Sequence, residues 1–352
     1  MGAAASVKED LPELLDLAGV KEALGDDFQP EKHMKLFDSN AADGKITKGK
    51  FTELLHKEAK NHSFSQGGNK GSSPVKPGMK ASEIYLQSYP ATKISDKNSD
   101  ALCRKFFPKA VVNLDVLDML TPVMDRLGMN SDNTLFAHSI CPDEINHEIS
   151  DITHVLAQFM GEMFVMGGLA GVPFCGRTGF SAFSHHAPLD GNVFILYAPH
   201  VGIASESGQV GFVIREGHSC QSTACGAAIG AYNQCVADPT AGGPELSEDD
   251  FQMDFVRREI KKSLDSIQSN PEPMAQLAHV VFDVVDKALH RIIGFKWAEN
   301  FSSGGKMLLL GGIQINMDGK YTDYFLPLKL ELQEKLPSGE VKVTDLLGEL
   351  PL

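Results

Sequence analysis

Four short apolar runs in the C-terminal part of the chain constrain its fold more than any other feature. They span 135–137, 193–197, 210–214 and 307–310. Between and after them, apolar residues recur at helical spacing in 144–162, 225–237, 250–268 and 273–294. Because strands alternate with helices, we predict an α/β core with a mainly parallel sheet flanked by helices. A hairpin around Asp318 and Gly319 is predicted to close this core.

The first 62 residues predict a separate, small all-α helix-loop-helix module. Its loop around Gly44 resembles an EF-hand, in which Asp38, Asn40 and Asp43 would be weak candidate calcium ligands. When Gly44 is the sixth loop position, Lys50 takes the twelfth, where calcium needs a bidentate carboxylate. The pattern therefore favours a degenerate EF-hand-like module without a bound ion over a calcium switch.

A stretch rich in Ser, Gly, Pro and Lys, residues 63–82, follows this module and is predicted to be a flexible linker. We therefore expect three parts: the helical module 1–62, the linker 63–82 and the α/β domain 83–352. The net charge of −14 resides in the α/β domain, because the charges of the first two parts cancel. Such an acidic domain argues against nucleic-acid binding, which needs a basic face.

Six cysteines in 352 residues are too few for a disulfide scaffold. No signal peptide, clear transit peptide or apolar run of membrane-spanning length is recognised, so we expect an intracellular, most simply cytoplasmic, protein with reduced thiols. The N-terminal residues 1–6 fit the pattern for N-myristoylation at Gly2. A single acyl chain there would give only weak, reversible membrane attachment.

Residues that bind soft metals follow three of the predicted strands. Cys141 comes directly after the first strand, His200 follows the second, and Cys225 lies beyond the third at the start of a predicted helix. Ligands gather at the carboxyl ends of strands in an open α/β sheet, so these three side chains could converge. Two Cys and one His leave one tetrahedral position open, as in a catalytic zinc site. Taken singly, each Cys is better explained as a small buried apolar residue, and Cys220 is a rival ligand.

The sequence around these residues resembles a known family. The motifs that carry the resemblance lie, in order, at 138–146, 167–174, 176–180 with His185 and His186, 198–203, 224–228 and 310–316. Together they closely resemble the low-CO2-inducible protein B/C family over about residues 83–350. That family is similar in fold and site to β-type carbonic anhydrases and includes the theta-class enzymes, so the resemblance implies a β-carbonic anhydrase-like core.

Carried over by position, the resemblance implies that Cys141, His200 and Cys225 hold Zn²⁺. It also implies that Asp143 pairs with an arginine to orient a zinc-bound water. In typical β-type enzymes that arginine follows the Asp by two residues, but Ile145 stands there in this chain. We expect Arg177 to be the partner, with Arg215 as the second choice. An arginine there would keep the carboxylate ionised and off the metal.

The sequence leaves open the role of two further histidines and the choice between two functions. His185 and His186 could shuttle protons, or could only shape the pocket. The favoured function is zinc-dependent, reversible hydration of CO2 to bicarbonate, in which zinc lowers the pKa of bound water. The alternative is a catalytically silent member that binds zinc or bicarbonate and works as a sensor or assembly partner. By analogy with β-type folds, a homodimer is expected.

Overall fold

The computed structural model describes residues 14–24, 37, 43–47, 80–89, 93–149, 151–161, 163–187, 191–294 and 305–352. The chain divides into two compact units, residues 1–70 and 71–352. The ten described α-helices are α1 Leu17–Leu24, α2 Ala81–Ser88, α3 Lys97–Phe106, α4 Asn113–Leu127, α5 Ile152–Met160, α6 Gly176–His185, α7 Gly226–Ala237, α8 Phe251–Lys261, α9 Leu264–Gln268 and α10 Pro273–Ile293. None of these helices combines the length and the apolar character needed to cross a membrane.

Twelve strands occur in the described residues. They are β1 Leu14–Leu15, β2 Ile46–Thr47, β3 Val111–Val112, β4 Thr134–Ile140, β5 Met163–Val165, β6 Asn192–Ala198, β7 His200–Ile203, β8 Phe212–Ile214, β9 Gln221–Thr223, β10 Lys306–Met317, β11 Tyr324–Lys335 and β12 Val341–Asp345. Eight of them form the central sheet, in the order β12-β11-β10-β6-β4-β5, with β3 on β11 and β7 on β10.

The central sheet is largely parallel, which confirms the predicted fold class. β5, β4, β6 and β10 run parallel to one another, and β7 continues the line of β6 along β10. The β10–β11 hairpin that the sequence predicts is present, and with β12 it adds an antiparallel edge. β4 and β6 are buried along their whole length, as expected for strands covered on both faces.

Helices cover both faces of this sheet. On one face, buried residues of α4 and α5 pack with Phe194 and Leu196 of β6 in one apolar cluster. Side chains alternate along a strand, so Tyr197 points to the opposite face. There its ring stacks on Phe282 of α10, with the ring centroids 6.0 Å apart. The sheet is thereby held between two helical layers.

Two expectations about local structure were wrong. The predicted third strand, 210–214, shortens to β8 and pairs only with β9, in a two-stranded sheet of its own. A positive φ of 93° at Gly211 separates it from the preceding bridge of Val210 with Ile203. The predicted helix 144–162 is in fact a 3-10 turn, Glu144–Asn146, followed by α5.

Little of the first unit falls among the described residues. They include α1 and a short antiparallel ladder that pairs Leu15 with Ile46, so this part is not purely helical. Asp43 and Gly44 adopt positive φ angles of 51° and 73°, consistent with a sharp turn there. Asp38, Asn40 and Lys50, as well as Gly2 and most of the linker, lie outside the described residues.

Lys93 is a buried cation that joins three segments of the second unit. Its Nζ lies 2.6 Å from Asp323 in the β10–β11 connection, 2.9 Å from Glu148 and 3.9 Å from Asp151. The side chains of Lys93, Asp151 and Asp323 are 8%, 1% and 2% exposed. Burial alone would lower the pKa of Lys93, but the two aspartates outweigh it and the pKa is raised.

Replacing Lys93 by Met should leave two buried aspartates without their cation. We expect the free energy of unfolding to fall by about 3–5 kcal/mol, the typical cost of breaking a buried pair. Urea denaturation followed by circular dichroism measures this change. The exposed Lys97 provides the control, and Lys97→Met should leave the midpoint nearly unchanged. Equal midpoints for the two variants would contradict the assigned role of Lys93.

Candidate metal centre

Three side chains meet where parallel strands of the central sheet end. Cys141 follows the last residue of β4, and His200 is the first residue of β7. β4 and β6 pair in register, with Ile140 opposite Ala198, so the chain leaves both strands at the same edge. Cys225 reaches this edge from the β8–β9 hairpin, directly before α7. The sequence-predicted ligand trio is therefore brought together.

The geometry of the trio suits a tetrahedral ion. The ligand atoms of Cys141, His200 and Cys225 all lie within 4.8 Å of one another, and the three residues are 2–3% exposed. The two Sγ atoms are 3.8 Å apart. Two sulfurs, each about 2.3 Å from a tetrahedral zinc ion, would be separated by about 3.8 Å. The thiols are free, and this separation is far beyond the S–S bond of a disulfide.

The two thiols differ in their acidity. Their mutual hydrogen bond raises the pKa of Cys141, and burial adds to the effect. The same hydrogen bond lowers the pKa of Cys225, and the backbone N–H groups of Ala228 and Ala227 at the start of α7 support this shift. Since a metal binds thiolates, the helix start favours the ionised form at Cys225.

His200 is held with one ring nitrogen towards the cysteines. Its Nδ1 lies 2.9 Å from Oδ1 of Asn316, and Nδ2 of Asn316 donates to the carbonyl of Ile145 at 3.3 Å. An amide oxygen can only accept, so Nδ1 of His200 carries the proton and donates. Nε2 is then the lone-pair nitrogen, and it is buried without a hydrogen-bond partner in the described residues. A metal ligand of this kind needs such an outer partner to fix its tautomer.

Asp143 lies beside the trio and is paired with Arg215. Nη1 and Nη2 of Arg215 donate to Oδ1 and Oδ2 of Asp143 at 2.7 and 3.1 Å, a bidentate ion pair. Oδ2 lies 3.7 Å from Nε2 of His200. Burial would raise the pKa of Asp143, but the hydrogen bonds from Arg215 outweigh it and lower the pKa to about 2. The carboxylate is thus ionised and aimed at the metal centre.

Arg215 has no N–H group left for another ligand. Its Nε donates to Ser222 Oγ at 2.9 Å, and Nη2 also donates to the carbonyl of Thr223 at 3.3 Å. Nη1 additionally donates to Glu144, whose side chain is 74% exposed. With the two bonds to Asp143, these contacts use all five N–H groups of the guanidinium. Arg215 is therefore committed to holding the carboxylate, with Glu144 as its one highly exposed partner.

The arginine beside Asp143 is Arg215, the second choice from the sequence, and not Arg177, the first choice. Arg177 lies in the first turn of α6 and is exposed. Arg215 comes into place because it directly follows β8, and β9 carries the Ser222 and Thr223 that hold its guanidinium. This hairpin geometry cannot be read from the distance of 72 residues between Arg215 and Asp143.

The other candidates lie outside the trio. His185 ends α6, is exposed, and its Nδ1 donates to the carbonyl of Ser181 at 2.6 Å; His186 follows it and is also exposed. Cys220, the rival ligand, is exposed in the β8–β9 connection. Sequence reasoning gave no role to Asn316, although it ends the sixth motif at the edge where β10 meets β7. That position was the signal that could have identified it.

Comparisons with known proteins bear on the family and the fold of this chain. Residues 110–334 match the family model of Limiting CO2-inducible proteins B/C beta carbonic anhydrases. The crystal structure of PtLCIB4, a homolog of the limiting CO2-inducible protein LCIB, is 29% identical, with a TM-score of 0.62 over 69% of this chain and 98% of that one. The structure of LCIB itself is 19% identical and shares the fold, with a TM-score of 0.54 over 71% and 99% of the two chains. None of the curated proteins matches the chain.

Asn316→Ala should weaken metal binding, because His200 then loses the partner that fixes its tautomer and ring orientation. We expect the affinity for Zn²⁺ or Co²⁺ to fall by about 10- to 100-fold. Competition with a chromophoric chelator measures it. Asn192→Ala is the matched control, since Asn192 is a buried amide at the opposite end of β6. An affinity that is equal in both variants would contradict the orienting role of Asn316.

Proposed function

This chain belongs to the Limiting CO2-inducible proteins B/C beta carbonic anhydrases, and we propose that it catalyses the reversible hydration of CO2 to bicarbonate with Zn²⁺ held by Cys141, His200 and Cys225. The observation that carries the proposal is the Asp143–Arg215 ion pair beside a three-ligand cluster. Three protein ligands leave the fourth tetrahedral position for water or substrate. A closed structural site would fill that position with a fourth side chain.

The ligand set suits Zn²⁺ in charge as well as in geometry. Two thiolates balance the two charges of the ion, and a neutral imidazole completes the set. When bound, zinc supplies Lewis-acid activation of water near neutral pH. The chain must then orient the activated water and keep competing ligands away from the open position.

Asp143 is the residue that does this in our proposal. Its ionised carboxylate can only accept, so it selects a hydrogen-bond donor at the open position and turns a lone pair of that donor towards CO2. Asp143 could also close the site by binding the metal itself. The bidentate hold of Arg215 opposes that movement, because both carboxylate oxygens are already engaged. We therefore assign Arg215 the role of positioning residue for Asp143.

The substrate is neutral, which fits the charge around the site. An acidic α/β domain gives no overall attraction to bicarbonate, and Arg215 has no spare N–H group to bind it. Bicarbonate could reach this guanidinium only by displacing the exposed Glu144. These features favour release of the anionic product over its retention.

A catalytically silent zinc-binding member is the second candidate. It would be favoured by an Asp143 without an arginine partner, and the Arg215 pair speaks against that condition. A homodimer, the expected assembly of such a domain, remains part of the proposal.

The purified protein should bind about one zinc per chain and accelerate CO2 hydration in a stopped-flow pH-indicator assay. Cys141→Ser should lose both properties, because one of the two thiolates is removed. Cys220→Ser should retain them, since Cys220 is exposed and outside the trio. A protein without stoichiometric zinc would refute the metal assignment. Full zinc occupancy without hydration would instead support the silent alternative.

The two arginines make distinct kinetic predictions. Arg215→Gln should lower kcat by at least about tenfold at full zinc occupancy, because Asp143 is no longer held in its orienting position. Arg177→Gln should stay within about twofold of the wild type, since no contact in our mechanism depends on it. Zinc content and initial rates are measured for both proteins. A larger loss of kcat in Arg177→Gln than in Arg215→Gln would contradict the role of Arg215 and favour Arg177 as the residue that positions Asp143.

A further inference from the structure

The carboxyl end of β10 contributes no candidate metal ligand, yet its hydrogen bonds reach the segments that carry His200, Asp143 and Arg215. Asn316 bonds to His200 of β7 and to the carbonyl of Ile145, two residues after Asp143. Two residues further along, Asp318 accepts hydrogen bonds from the backbone of β8 and from the chain that follows β7. Nothing in the family match or the ligand geometry assigns a role to Asp318.

Asp318 is a buried carboxylate held by backbone N–H groups. It is 4% exposed; Oδ1 accepts from the amide of Ile214 at 2.7 Å and Oδ2 from the amide of Ser205 at 2.8 Å. Charge-assisted bonds of this kind are stronger than neutral ones and are costly to lose when buried. The pair of bonds fastens the end of β8 to the segment after β7.

The residue that Asp318 fixes directly precedes Arg215. Ile214 is held at both backbone groups, because the amide of Gly319 donates to its carbonyl at 2.8 Å. A Cβ on Gly319 would lie only 2.6 Å from the backbone nitrogen of Glu216, so the turn after β10 packs closely against the chain on the far side of Arg215. Asp318 and Gly319 thus contact the chain on both sides of Arg215, at Ile214 and at Glu216.

The β8–β9 hairpin depends on such contacts with the rest of the domain for its stability. It is a two-stranded sheet of its own, and isolated hairpins are marginally stable at best. The base of the hairpin, which lies next to Cys225, is held by other backbone hydrogen bonds. There Gly211 donates to Gly202, Ala224 donates to Gly211, and Gly202 donates to Ala224, at 2.8–3.0 Å. The base thus positions the metal ligand, whereas only the other end carries Arg215.

We propose that Asp318 is a positioning residue that acts through Arg215: it holds the arginine-bearing end of the hairpin in place and thereby keeps Arg215 on Asp143. Because the base of the hairpin has its own hydrogen bonds, Asp318 governs the ion pair and not the metal ligands. The catalytic consequence rests on the proposed function, while the structural claim does not.

Hydrogen–deuterium exchange tests the structural claim without using activity. In Asp318→Asn, the amide group turns an N–H donor towards one of the two backbone donors. We expect exchange of peptides covering 212–223 to accelerate by at least about tenfold, with zinc affinity within about twofold of the wild type. Asp323→Asn is the matched control, because Asp323 is a buried carboxylate on the same connection whose bonds go to Met317 and Lys93. Unchanged exchange in 212–223, or equal acceleration in both variants, overturns the proposal.

Gly319→Ala is a second variant in case Asp318→Asn does not fold. Its added Cβ pushes against Glu216 while the carboxylate of Asp318 remains, and it should give the same local acceleration of exchange. If residues 212–223 of Gly319→Ala exchange at the wild-type rate, the proposal that the turn after β10 holds this end of the hairpin is overturned.

A double-mutant cycle tests the route through Arg215. Asp318→Asn should lower kcat by several-fold, and the double variant with Arg215→Gln should be no slower than Arg215→Gln alone. Independent, multiplicative losses would overturn the assignment. If the wild type does not hydrate CO2 at all, the proposed function fails, whereas the exchange experiment still decides whether Asp318 holds the hairpin.

Discussion

The parallel pairing of β4, β6 and β10 is the constraint on which the rest of the site depends. Parallel strands end at a common edge, so the register that sets Ile140 opposite Ala198 also brings Cys141 and His200 together. β10 extends past β6 and pairs next with β7, with Gln314 opposite His200. A shift of this register by one residue would turn the side chains to the opposite face and separate the ligands.

The residues of the candidate site come from two separate sheets, the central sheet and the β8–β9 hairpin. The central sheet supplies Cys141 and His200, together with the outer partner Asn316. The small β8–β9 hairpin supplies Cys225 at its base and Arg215 at its other end. The central sheet thus positions two of the three candidate ligands, while the carboxylate that would orient the reacting water depends on a hairpin held by buried hydrogen bonds. The Asp143–Arg215 pair thus depends on residues outside the trio, since Ser222 bonds to Arg215 and Asp318 to the preceding Ile214.

The sequence predicted those parts of the fold whose signal is local. The apolar runs within β4 and β6, the long amphipathic helix α10 and the β10–β11 hairpin all follow from local sequence patterns. The isolated pairing of β8 with β9 did not, because an apolar run of five residues has the same signal whether it joins a large sheet or a short hairpin. The segment after Asp143 likewise reads as helical, although it forms a 3-10 turn before α5 begins at Ile152.

For the candidate site, the sequence alone determined the residue types and their order: two Cys, one His and one Asp, each next to the end of a strand or the start of a helix. Those positions can be read along the chain because the side chains lie close to the elements that carry them. Only the tertiary structure decided which arginine pairs with Asp143, that its five N–H groups are all engaged, and that Asn316 and Asp318 organise the site from a strand without a ligand. These are contacts between segments from about 70 to more than 110 residues apart, and such contacts depend on the packing of strands and turns, which periodicity does not encode.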